Sequence, residues 1–287
     1  MRWIVDVDLR APSQAAIRFA RSLALAGEAP EASRFIPVHV LDQDHLRSVL
    51  RVQHLDEVVD EAREGARRML APTTPAGSFE DVEVVQALYE EEGLAATRQA
   101  HGADGVILGR RDGRLVRLGR AARRLLRAPP CPVVVVPSRL ADGALDGPIL
   151  ALTDLRETSA SAYRFAARLA RQSGRELVAV HVVPGEGPQP EESGLAAWAK
   201  ASGLPADRHV VVRGDVVAQA LATANAIGAS AIVTGSRPRS GIERVLGRSA
   251  ARAIAARASV PVVVVPSGES QRAPVTEPST QRVPAHA

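Results

Sequence analysis

The sequence predicts an α/β protein made of two tandem, doubly wound, five-stranded parallel sheets. Three observations carry that expectation: the chain is written twice, apolar runs alternate with helical patterns, and several runs are apolar at every position. The repeat is the strongest of these. "PVVVVPS" occurs at 132–138 and unchanged at 261–267, and "GADGVILGRR" (102–111) answers "GASAIVTGSR" (228–237). "PVHVL" (37–41) answers "AVHVV" (179–183), "IRFARSLA" (17–24) answers "YRFAARLA" (163–170), and "IVDVDLR" (4–10) answers "LALTDLR" (150–156). Five matches in one order mark a duplicated supersecondary unit. The copies span 1–137 and 149–266, with a Gly- and Asp-rich linker at 138–148 and a polar, proline-spaced tail at 267–287 expected to be disordered.

Taken in order, each copy opens on a strand that ends at an aspartate, Asp8 or Asp154, before a helix beginning near Ala11 or Glu157. A strand-end carboxylate there serves a ligand, caps the helix, or does both. The second strands carry His39 and His181 between valines, expected as buried, hydrogen-bonded histidines. One long charged helical segment at 43–71 follows in the first copy, where the second has the shorter "EESGLAAWAKASG". In the second copy the strands fall at Ile149–Asp154, Glu176–Val183, Arg208–Arg213, Ser230–Gly235 and Pro261–Val265. Runs such as "PVVVV" suit strands covered by helices on both faces. Right-handed crossovers then give a doubly wound sheet, whose ligands bind outside the carboxyl ends of the strands. Asp8, Asp154, Gly109 and Gly235 fall at those ends.

Composition sets limits. Hydrophobic residues make up 46% and charged residues 24%, as in a globular protein rather than a disordered one. The formal net charge is +4, and every basic residue but Lys200 is arginine. That balance is weak evidence for a nucleic-acid partner, and none is expected. Cys131 is the single cysteine, which excludes an internal disulfide and a cysteine-cluster metal site; it reads as a buried hydrophobe. With no signal-peptide pattern and no membrane-length apolar run, a cytoplasmic protein is expected. Asp6, beside Asp8, lacks a second carboxylate cluster that would make a metal site.

The strand-end aspartates, the "VHV" strands, the glycine loops and the closing "APPCPVVVVP" and "ASVPVVVVP" together resemble a tandem member of the universal stress protein family. The resemblance implies strand order 3-2-1-4-5 and, in one branch of the family, ATP binding. In that branch the first-strand aspartate and the second-strand backbone hold adenine and ribose, here Asp154 and Val182, or Asp8 and Val40. The phosphates lie on a loop of Gly, two residues, Gly, nine residues, then Gly followed by Ser or Thr. Glycine there permits a tight turn, and the next helix offers free N–H groups and its positive dipole end. The second copy keeps Gly235, Ser236, Arg237 and, in register, Ser249, but has Pro238 and Arg248 at the other glycine positions, with Gly247 displaced by one. The first copy keeps Gly109 and Gly119, with Asp112 at the second position, and it is not expected to hold ATP in the family manner.

Residues 109–127 hold eight arginines against one aspartate, and Arg237, Arg239, Arg244, Arg248 and Arg252 surround the second loop. Guanidinium forks replacing lost backbone donors is one reading, the second copy being the better candidate; a solvated basic face is the other. No nucleophile–base pair or histidine-rich metal spacing is visible. The expectation is a non-enzymatic stress-response regulator with a nucleotide or phosphate site, its ligand ATP or another small anion, in the second copy. The alternative is a protein-interaction module, its partner unknown, that has lost nucleotide binding. Family members pair their last strands across a dimer interface. The two "PVVVV" edges are expected to do so within one chain, as an internal pseudo-dimer, with a homodimer as the other arrangement.

Overall fold

A computed structural model describes residues 1–26, 33–49, 54–71, 78–111, 118–140, 146–186, 193–203, 205–236, 250–267 and 281–282. The first half runs β1 (Arg2–Asp6), α1 (Ala11–Leu25), β2 (Arg34–Asp42), α2 (Gln43–Val49), α3 (Leu55–Leu70), β3 (Glu83–Ala87), α4 (Glu90–Ala100), β4 (Gly105–Arg110), α5 (Arg120–Leu125) and β5 (Val133–Pro137). The second half follows with β6 (Ile149–Thr153), α6 (Glu157–Gln172), β7 (Leu177–Val183), α7 (Ser193–Ala201), β8 (Arg208–Arg213), α8 (Val216–Ala226), β9 (Ala231–Ser236), α9 (Ala250–Arg257) and β10 (Val262–Pro266). The strands predicted for the second copy are all present, within a residue at each end.

Both halves have the expected order 3-2-1-4-5, with parallel pairing throughout each. They are joined edge to edge. β5 and β10 pair antiparallel, Val134 opposite Val263, so that one eleven-stranded sheet runs through the molecule. An apolar strand with an open edge is an aggregation hazard, and here each valine edge covers the other. The alternation of side chains along a strand then builds two cores. Val134, Val136, Val263 and Val265 join one face, under α1, α3, α6 and α7. Val133, Val135, Val262 and Val264 join the other, under α4, α5, α8 and α9. Both cores pass through the junction without a break, and all eight valines are buried.

One expectation is corrected. The charged segment at 43–71 is not one helix. α2 and α3 are separate, and His54 lies between them in an extended conformation as the N-cap of α3. A capping box explains the restart: Glu57, at the third helical position, accepts the His54 N–H at 3.2 Å. Of the tail 267–287, only 267 and 281–282 are among the described residues. Ser267 is buried, and Gln281–Arg282 forms a short strand, β11, antiparallel to β3. The unpaired backbone groups of an edge strand offer a template for such pairing.

Candidate functional site

The carboxyl ends of β1, β2 and β4, and of β6, β7 and β9, form two related concave regions. Each first strand ends in the same tight turn. Leu9 and Leu155 have positive φ, 58° and 62°, a left-handed conformation that costs a non-glycine residue roughly 1–2 kcal/mol. The turn folds the preceding aspartate back on the chain. Asp8 Oδ1 accepts the Arg10 N–H at 3.0 Å, and Asp154 Oδ1 accepts the Arg156 N–H at 3.1 Å. Those acceptors engage the N-cap residue itself, and α1 and α6 have no side-chain cap; the expected cap is therefore an Asx turn placed just before the helix.

The two aspartates differ in their remaining company. Ser13 donates to Asp8 Oδ1 at 2.6 Å and accepts the Asp8 N–H, while Arg111 reaches Oδ2 at 3.5 Å. In the second half the equivalent Ser159 turns away, bonding Thr153 Oγ1 at 2.8 Å and the Arg156 carbonyl. Both mid-strand histidines brace these turns, as expected. His39 Nδ1 donates to the Val7 carbonyl at 2.6 Å and His181 Nδ1 to the Thr153 carbonyl at 2.9 Å, since a carbonyl can only accept. Burial lowers the His39 pKa, which favours the neutral ring. Val40 and Val182, the second-strand positions, are both buried.

Electrostatics separates the halves. At the strand ends of the first stand Asp6, Asp8, Asp42 and, at the start of α4, Glu90. Burial, with Glu90 and Asp8 close by, pushes Asp6 well above the usual carboxylate range. Burial beside Asp8 and Asp42 raises Glu90 to about 7, against a hydrogen bond with Asp6 that favours its ionised form. The register of the two sheets and the starts of α4 and α8 place Leu152, Asp154, Pro184 and Val216 at the same positions of the second half. Four carboxyl groups face one. Sequence reading missed Asp42 and Glu90. The signal was present in "LDQD" and "YEEEG" set against Pro184 and Val216, but only the fold brings those segments to the same strand end.

The glycines differ too. A β-carbon at Gly109 would overlap the Pro12 carbonyl of α1, so glycine is required there by packing. A β-carbon at Gly235 would meet Ala162 Cβ at 3.7 Å, an ordinary contact, so packing does not demand glycine. Ser236 follows it, paired with Pro266 at the end of β9. Gly119 is the N-cap of the short α5, with open space where a β-carbon would be. Arg237, Gly247, Arg248 and Ser249 lie outside the described residues, as do Asp112 and Pro238.

Several described arginines of the basic stretch 109–127 are engaged within the protein. Arg120 pairs with Asp44 at 3.0 Å, and Arg124 pairs with Glu91 at 2.5 Å while lying over the Tyr89 ring. Arg110, at the end of β4, is buried and donates to the Ala255 carbonyl at 2.9 Å, tying the first half to the last turn of α9. Among the described residues no cluster of His, Cys, Asp and Glu is arranged to hold a metal ion, and no helix is long and apolar enough to cross a membrane.

Fold and site together define a tandem, doubly wound α/β protein with one crowded, acidic strand-end region and one that carries a single carboxylate at the equivalent positions. The sequence model of the universal stress protein family matches residues 2–137 and 186–266, and the chain belongs to that family. Its fold is similar to that of a universal stress protein from Archaeoglobus fulgidus DSM 4304, at 16% identity and a TM-score of 0.65, over 93% of this chain and 98% of the other. It is also similar to a putative universal stress protein from Pseudomonas aeruginosa UCBPP-PA14, at 17% identity and a TM-score of 0.64, over 94% of each chain. A functionally unknown protein from Pseudomonas aeruginosa PAO1 is similar at 16% identity and a TM-score of 0.63, again over 94% of each. None of the curated proteins matches the chain.

Proposed function

We propose that this is a non-enzymatic, cytoplasmic stress-response protein of two domains, 1–137 and 149–266, joined by the linker 138–148. In this reading the second domain holds a nucleotide such as ATP by its phosphates, and the first has lost that ability. The observation that carries it is the contrast of four carboxyl groups against one at equivalent strand ends. A polyanion is disfavoured beside the first set, whose crowding already holds Asp6 and Glu90 toward their protonated forms, whereas the four equivalent positions of the second half carry one carboxylate, Asp154, suited in this reading to ribose hydroxyls or adenine. Gly235, a glycine that packing does not require, adds support, because close approach of phosphate to backbone is the remaining reason for it.

In this reading Asp154 and the Val182 backbone orient the nucleoside, while Gly235, Ser236, Arg237, Gly247, Arg248 and Ser249 surround the phosphates. The pairing of β5 with β10 serves as an internal dimer interface, so one chain suffices as the assembled unit.

Isothermal titration of the full chain, stripped of nucleotide, with ATP tests this. Saturable heat is expected, weakened about tenfold or more by Gly235→Ala or Asp154→Ala and unchanged by Asp42→Asn. Absence of heat at about millimolar ATP, where binding free energy falls to roughly 4 kcal/mol, would leave a protein-interaction module in its place.

A further inference from the structure

A cleft of about 580 Å³ lies at the seam between the halves, by the amino ends of β4 and β5 and the carboxyl end of β10. That volume is within the range of small-molecule sites, about 300–1,000 Å³. Helix α6 supplies one wall. Ser161, Arg164, Phe165 and Arg168 recur at steps of three and four residues and so share a face. The first half supplies the other wall through Arg98 at the end of α4, Asp104 before β4, and the turn before β5.

The charges there do not balance. Asp104 is the one carboxylate against three guanidinium groups, and both of its oxygens are taken. Oδ1 accepts from Arg168 at 2.8 Å, and Oδ2 accepts the Arg2 backbone N–H at 2.8 Å. Arg98 is held in place by its Nε, which donates to the Ala103 carbonyl at 2.7 Å. Arg164 is exposed and makes no hydrogen bond or ion pair with the described residues. Two cations are therefore left without a carboxylate partner among the described residues at one concave seam, where their like charges raise the local potential for an anion.

The pseudo-twofold provides an internal control. In the related cleft the equivalents of Arg98, Asp104 and Arg168 are Ala224, Ser230 and Ser22. The one arginine kept there, Arg18, donates to the Ser138 carbonyl at 3.3 Å. The set Arg98, Asp104 and Arg168 is therefore not a by-product of the duplication; the cations of the other side, Arg257 and Arg175, stand at different positions. Cys131 also lines the cleft, but burial raises its thiol to about 11, so it stays protonated and the site is one for binding rather than chemistry.

We propose that this seam cleft binds a small dianion of the phosphate-monoester class, with Arg98 and Arg164 as its ligands from the two halves. Guanidinium forks suit tetrahedral oxyanions, and the net charge of two matches a dianion. Occupancy ties α6 to the first half and stabilises their junction. The proposal does not rest on the nucleotide reading: Val265 and the Ser161 bond to the Pro266 carbonyl bring one wall to the end of β10, but neither Arg98 nor Arg164 is a residue that reading uses.

The test uses the full chain with glycerol 3-phosphate and inorganic phosphate as probes, against chloride at matched ionic strength. Trp3 stands in edge contact with Phe165 at 5.9 Å, so in a Trp198→Phe background its fluorescence reports the cleft. Titration calorimetry on the unsubstituted chain gives the same reading without that substitution. A saturable response is expected with both probes, with Kd raised about tenfold by Arg164→Gln and likewise by Arg98→Gln. Where ATP binds, its affinity should be unchanged by Arg164→Gln; where it does not, the response to glycerol 3-phosphate and its weakening in the two variants still decide this site. No response, a response that chloride reproduces, or a Kd in either variant equal to that of the unsubstituted chain overturns the proposal.

Discussion

Replacing Glu90 by glutamine should make the protein more stable above neutral pH and leave it unchanged in acid. Glu90 faces Asp6, Asp8 and Asp42, with Glu91 beside it on α4, and its pKa rises from the ordinary 4.5 to about 7 through burial and then through Asp8 and Asp42. Glu91 is itself paired with Arg124, and Arg10 is the cation that eases Asp6. A carboxyl whose folded pKa exceeds its unfolded value binds more protons when folded. Its contribution is therefore fully present below pH 4.5 and is lost as pH rises through 7. At about 1.4 kcal/mol per pH unit, that interval comes to about 3 kcal/mol. Asp6, also raised, acts in the same direction. Glutamine keeps the shape and a donor for Asp6 but cannot ionise. Urea unfolding of both proteins between pH 4 and 8.5, followed by circular dichroism, checks this. The difference between them should open from near zero at pH 4 to about 3 kcal/mol at pH 8. Parallel curves would refute the buried-acid account of the first strand-end region.

Other outcomes follow from the packing. Gly109→Ala forces a β-carbon into the Pro12 carbonyl and should destabilise the chain by about 1–3 kcal/mol, read from the thermal midpoint. Gly235→Ala has ordinary contacts and should leave that midpoint within about 0.5 kcal/mol, so that any loss of nucleotide binding by this variant is free of a folding defect. Arg110→Met removes the buried donor to the Ala255 carbonyl and should cost about 1–3 kcal/mol in thermal unfolding, without altering ATP affinity. Val263→Lys places an unpaired charge in the buried antiparallel junction with Val134; loss of the folded monomer in size-exclusion chromatography is expected.

Much of the fold was legible because its signals are local or repeated. "PVVVV" is apolar at every position because helices cover both faces, and that pattern identified β5 and β10 before any coordinates. The helix starts at Ala11 and Glu157 followed from the strand-end turns. The break between α2 and α3 was less visible: the charged pattern on either side is helical, and only the His54–Glu57 capping geometry shows that the chain restarts. The site was legible in part. Asp8 and Asp154 look equivalent in sequence, yet Ser13 and Arg111 engage one while Ser159 turns from the other to Thr153.

The sequence by itself determined the duplication, the strand and helix types, the order of elements and the candidate positions at the strand ends, because periodicity and repetition are written along the chain. Tertiary structure decided that the two valine edges close into one sheet, that Asp42 and Glu90 join Asp6 and Asp8 in a crowded acidic region, and that Arg98 and Arg164 line one cleft at the seam. Those outcomes depend on charges and edges far apart in sequence. Their energies are set by burial and separation in space, which no local pattern records.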